Sequence, residues 1–304
     1  MATATEVQSL NDIDYKSKIK IFFLILIALF LFIISFLNFY PIGEKIKSVI
    51  KTSFNGGACK PDFEEIHMEW LMPKIVVSNL VIPASCLDRA GEPLKFSHLT
   101  INYHLISFAP FGLPFKIDTS FGGQDISMYF VQGINSQMIR LKDQTLDLMK
   151  LQPILGENVK LSGKVTVDLN MAMSKSVITN LTLKAQSKNF QVPPQSIQGF
   201  TTPPLKLNEF YLEAASEAHP RILIEKLILG DTDAPVRANL KGRIDLQEGN
   251  AAMSPLDMVG EIAFSESLKK AVPVDMLLGS FTQKDGFYQI RLGGTLGSPK
   301  PIGP

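Results

Sequence analysis

VRANLKGRIDL, residues 236–246, alternates apolar and polar side chains on either side of a glycine. A period of two sends successive side chains to opposite faces of an extended strand, and no helix produces it. VKLSGKVTVDL, residues 159–169, is a second copy, and YQIRLGGTL, residues 288–296, is a truncated third. Each places a glycine in mid-strand, at Gly163, Gly242 and Gly294. Glycine inside a strand marks a bulge or a sharp coil of the sheet. Asp168 and Asp245 fall at equivalent positions of two copies, which suits a solvent-facing role better than paired acid–base work.

The same period extends outward in both directions. Residues 65–71, 74–82, 94–103, 115–121 and 124–130 read as strands, the last two joined by a Gly122-Gly123 hairpin turn. Residues 177–186, 205–214 and 222–231 continue the pattern. Residues 137–155 fit either one face of a helix or a strand with a short turn. Residues 191–204, QVPPQSIQGFTTPP, read as a long loop at one end of the sheet, since the cassette recurs on both sides of them. Short helices are expected at 255–257 and 265–272. The fold class is therefore mainly β: an elongated, curved antiparallel sheet with a few short helices.

Upstream, residues 21–37 read IFFLILIALFLFIISFL, with no charge and no proline, behind Lys16, Lys18 and Lys20. With its apolar flanks the run reaches about 20 residues, and at about 1.5 Å per residue that spans the hydrocarbon core of a bilayer. It is longer than a signal-peptide core, and residues 38–43 offer no small-residue cleavage pattern. The expected organisation is a cytoplasmic tail over 1–18, a transmembrane signal anchor over 19–40 and a β-rich domain over 41–304. Charge decides the orientation only weakly, because Lys45, Lys47 and Lys51 follow the run closely. Ile46, Val49 and Ile50 within 43–54 predict a short amphipathic helix beside the membrane.

Lys and Arg number 30 against 29 Asp and Glu, with the lysines dispersed, so no nucleic acid is expected as a partner. The two cysteines, Cys59 and Cys86, either close a disulfide loop in an oxidising compartment or remain two buried thiols. His67, His98, His104 and His219 form no metal-ligand spacing, and no nucleophile, phosphate-loop or dinucleotide motif appears. No catalytic, cofactor-binding or metal-ligating residue is assigned, and no cofactor is expected. What remains is binding. A sheet with one apolar face either packs on itself as a sandwich or curls around a groove that holds acyl chains or partner segments.

The anchor, LSGKVTVDL at 161–169, LIEKLILGDTDAPVRANLKGRIDL at 223–246 and FYQIRLGGTLGSPKP at 287–301 together resemble the GspN proteins of bacterial type II secretion, in a divergent branch. That branch is also similar to AsmA-like envelope proteins, which repeat a comparable glycine cassette. The resemblance implies a single-pass protein of the bacterial inner membrane, with the bulk of the chain in the periplasm. It implies a non-enzymatic role in type II protein secretion, binding other secretion or envelope proteins. The AsmA likeness implies instead a lipid-binding or lipid-transfer protein, with phospholipid in the sheet. Neither family supplies an active-site residue.

Overall fold

The computed structural model describes residues 24–29, 31–32, 35, 60–69, 74–87, 92–103, 112–155, 160–175, 177–197, 200–218, 221–247, 251–272, 278–279 and 281–302. Alternation becomes strand almost throughout. In chain order the strands are β1 (Glu65–Glu69), β2 (Lys74–Ile82), β3 (Leu94–Tyr103), β4 (Gly112–Phe121), β5 (Gln124–Gly133) and β6 (Ser136–Asp147). They continue with β7 (Lys164–Ser174), β8 (Val177–Val192), β9 (Gln195–Ile197), β10 (Phe200–Thr202), β11 (Leu205–Ala218) and β12 (Arg221–Leu229). The last are β13 (Val236–Asp245), β14 (Leu256–Phe264), β15 (Gln283–Lys284), β16 (Phe287–Thr295) and β17 (Ser298–Ile302). All but β9 and β10 join one 15-stranded sheet, in which nearly every strand pairs antiparallel with its sequence neighbour. The proline-rich loop folds as the small β9–β10 hairpin, and β8 pairs across it with β11.

Several expectations shift. Residues 137–155 resolve as a strand, β6, followed by a short helix α1 (Gln152–Leu155). Ile139 pairs with Met171 and Leu141 with Leu169, so burial against β7 selects the extended form. The helix expected at 255–257 is instead the start of β14, because Leu256 and Met258 are both buried on one face of it. The expected helix at 265–272 forms as α2 (Glu266–Ala271), where the Ser265 hydroxyl caps the Leu268 N–H. Gly163 lies one residue before β7 rather than within a strand, at φ +108°. Gly294 is inside β16 at φ +88°, leading into the turn to β17.

Asn79, Asp143 and Asn208 take positive φ values of 51°, 48° and 60°. Asn and Asp tolerate this region better than other residues with a Cβ. Asp143 and Asn208 adjoin shifts of their strands' register, and these bulges bend and twist the sheet, whereas the β2–β3 register runs unchanged across Asn79. The sheet curls between β11 and β13, whose Cα atoms approach within 8 Å although the strands are two apart.

The described residues of the apolar N-terminal run, 24–29, 31–32 and 35, are helical, with Leu24, Ile25, Leu31 and Phe32 exposed. Among the described residues no helix is long and apolar enough to cross a membrane. Most of the expected 19–40 anchor and the 43–54 amphipathic helix lie outside them. Cys86, in the 3-10 turn Ala84–Leu87, is disulfide-bonded; Cys59, the other cysteine of the chain, lies outside the described residues.

Candidate functional site

Antiparallel register decides which side chains share a face, because directly paired residues point the same way. One row runs Tyr103–Phe115–Phe130–Ile139–Met171–Leu181 from β3 to β8. A second runs Leu141–Leu169–Leu183–Ala214–Ile224–Gly242–Met258–Leu292 from β6 to β16. A third, Ile75–Ile101–Ile117–Met128, crosses β2 to β5. No position in these rows is charged. Aromatic rings line the first, with centroids 5.5 Å apart for Tyr103 and Phe115 and 6.3 Å for Phe115 and Phe130. The sheet therefore carries one apolar face across almost its whole width.

The opposite face is ionic. Asp168, Lys184, Glu213 and Lys226 follow one another across β7, β8, β11 and β12. Lys184 Nζ lies 2.7 Å from Glu213, whose carboxyl is held below its ordinary range by that bond and one from the Tyr211 hydroxyl. Arg291 donates two hydrogen bonds to Asp257, at 2.9 and 3.2 Å, and these depress the Asp257 carboxyl. Burial pushes Asp118 up, but hydrogen bonds from the Ser127 hydroxyl, the Lys116 ammonium and the Asn102 amide together pull it below its usual value. Asp245 pairs with Arg221 at 2.9 Å, and Asp168 is exposed, so neither cassette carboxylate faces the other.

The two halves of the apolar face differ in cover. From β7 onward it closes into two clusters, one of Val165, Ala185, Phe190, Leu207 and Ala234, the other including Ala214, Ile224, Leu240, Met258, Tyr288 and Ile290. Leu278 and Phe281 cap the second cluster. Gly242 and Gly260 make that closure possible. A Cβ on Gly242 would run into the Asp257 carbonyl, and one on Gly260 into that of Asn239. On β3 to β6 the same face is only half-buried at Ile101, Tyr103, Phe115, Ile117, Met128, Phe130 and Ile139. The β5–β6 ladder is also short, from Tyr129–Gln132 to Gln137–Arg140. Beyond it the Gln124 and Gln144 side chains bond to backbone across the gap, at 2.8 Å from Asp147 N–H and 3.1 Å from Ser127 N–H.

Of the residues singled out in the sequence, Gly242 and Gly294 lie in strands, and Gly163 abuts one. They do not gather into a site. His67 pairs with Glu65 at 2.8 Å on an exposed edge strand, His98 is exposed, and His104 and His219 lie outside the described residues. Among the described residues no group of three or more His, Cys, Asp or Glu side chains is placed to hold a metal. Gly260 was missed by sequence reasoning, because MVGEIAF lies outside the cassette. The class defined by the fold is a mainly β protein built on one wide antiparallel sheet with a single apolar face. No family model, curated protein or solved structure matches the chain.

Proposed function

We propose that the chain is a non-catalytic, membrane-tethered holder of phospholipid acyl chains, which lie along the half-buried apolar face of β3 to β6. The observation that supports this is the uncharged row Tyr103–Phe115–Phe130–Ile139, left half-buried, while other rows of the same face from β7 onward gather into buried clusters. A bare apolar row of this width costs free energy in water, and an acyl chain laid along it gains about 0.8 kcal/mol per buried CH₂. The likeness to GspN and AsmA-like proteins suggests the setting, an inner-membrane anchor with the sheet in the periplasm. The same likeness favours a second reading, a type II secretion component whose open face takes an apolar segment of another secretion protein.

Photocrosslinking tests the first reading. A photoreactive phenylalanine replaces Phe130 on the apolar face, or Tyr129 on the opposite face, in the full chain expressed in bacteria labelled with radioactive phosphate. Irradiation should attach labelled phospholipid at 130 and not at 129. Labelling equal at both positions, or absent from both, overturns the proposal. A polypeptide adduct at 130 favours the secretion reading instead, which in turn fails if deleting the gene leaves enzyme export unchanged.

A further inference from the structure

Ile134 is the most exposed large apolar side chain among the described residues, at 92%, and it stands in the two-residue turn between β5 and β6. Such turns favour Asn, Asp and Gly, and a branched apolar residue at the tip contributes nothing to the sheet. Leu113 on β4, paired with Gln132, and Met138 on β6, paired with Val131, lie toward the same end on opposite faces of the sheet, 48% and 40% exposed. The neighbouring β7–β8 turn is tied to this one, since the Lys175 N–H donates to the Asn135 carbonyl at 3.3 Å, and Lys175 itself is exposed.

The charge around this end is one-sided. Up to the level row Lys116–Tyr129–Arg140–Asn170–Thr182, this end of β4 to β8 contains Lys116, Arg140 and Lys175 and no Asp or Glu, and of the three Lys116 is paired with Asp118 at 2.9 Å. Asp118 sits just behind that row, bonded to Lys116, and Asp125 and Asp147 lie toward the other end. We propose that this end of the sheet rests in the interfacial layer of an anionic lipid bilayer, with Ile134 among the acyl chains and Lys175 and Arg140 against lipid phosphates. A protein partner fits the patch poorly. The three exposed apolar side chains found here among the described residues fall far short of the roughly 800 Å² per partner of a stable interface. A bilayer accepts single inserted side chains and rewards flanking cations. The contact is separate from the apolar row inside the sheet and stands or falls without it.

The chain has one tryptophan, so Ile134→Trp in a Trp70→Phe background gives a single reporter at the tip. Val259→Trp in the same background is the reference, at an exposed position on the ionic face of β14. The full chain is reconstituted into vesicles of phosphatidylcholine and phosphatidylglycerol, with part of the phosphatidylcholine brominated on its acyl chains. Circular dichroism checks that each variant keeps its strand content. Bromolipid should quench the tip reporter at least about twofold more than the reference, as expected for a side chain inserted below the headgroups. Lys175→Glu, or omission of phosphatidylglycerol, should reduce the difference. Equal quenching at the two positions overturns the proposal. Quenching indifferent to both Lys175 and phosphatidylglycerol overturns its headgroup half.

Discussion

Replacing Gly260 by Ala sets two effects of opposite sign against each other. In an ordinary strand, alanine loses less backbone entropy on folding than glycine and stabilises by about 0.5–1 kcal/mol. In β14 the new methyl would overlap the Asn239 carbonyl oxygen and stand 2.9 Å from the Leu240 Cα. Both obstacles are backbone, so no rotamer change relieves them, and β13 must move away from β14. That movement loosens the β13–β14 ladder around the Leu240–Gly260 pair, and each backbone hydrogen bond lost there costs about 0.5–1.5 kcal/mol. It also opens the cluster in which Leu240, Met258 and Ile290 are buried. With overpacking in close-packed sites costing about 1–3 kcal/mol, the balance is a net loss of about 2–3 kcal/mol. Urea unfolding of the full chain in mild detergent, followed by circular dichroism, should show the midpoint fall by roughly 1 M at an unchanged slope. The exposed neighbour Val259→Ala should shift it by less than about half as much. A neutral or stabilised Gly260→Ala would refute the steric origin of the curl, because entropy alone would then have decided the outcome.

Two further substitutions probe other parts of the sheet. Asp118 has a depressed carboxyl in the folded state, so its stabilisation is present above the unfolded value near 3.9 and is lost as pH falls through the lower folded value. Asp118→Asn should cost about 1 kcal/mol at neutral pH and flatten the stability profile below about pH 4, read as unfolding midpoints across a pH series. Pro299 and Pro301 on the edge strand β17 lack N–H donors and hinder another strand from pairing there. Pro299→Val with Pro301→Val should therefore raise concentration-dependent association in light scattering above that of the unaltered chain, and an unchanged mass would show that the edge is protected by other means.

Strands were legible wherever the period was clean, as in residues 94–103 and across the Gly122-Gly123 turn, because each strand keeps one dry and one wet face. Residues 137–155 were not, since Leu141, Leu146 and Leu148 suit two periods and only pairing with β7 separates them. Residues 255–257 failed for a related reason: a proline beside a short apolar step resembles a helix start until Leu256 finds Ile244 across the ladder. The apolar rows themselves could not be read from the sequence. They depend on register, and register turns on single bulged residues such as Asp143 and Asn208, whose left-handed backbone has no strong local signature. Gly242 was legible as a coil point, whereas Gly260 needed its neighbour's backbone in view.

The apolar face, which the sequence leaves open to either a self-packed sandwich or a groove, is buried to different degrees in the two halves of one sheet. From β7 onward, Gly242 and Gly260 let the strands coil until Leu240, Met258 and Ile290 bury one another, with Phe281 across them. On β3 to β6 the inner positions hold Tyr103, Phe115 and Phe130 where the closed half has alanine and glycine at Ala214, Ala238, Gly242 and Gly260. Bulky rings on the concave side oppose tight coiling, so the same pattern that closes one half props the other open. The short β5–β6 ladder, bridged by Gln124 and Gln144, adds slack where, on the proposed reading, the half-buried face would adapt to an acyl chain. By that argument, replacing Phe115 and Phe130 with alanine should reduce lipid capture even if the sheet survives, because the face would lose both its area and the rings that keep it open.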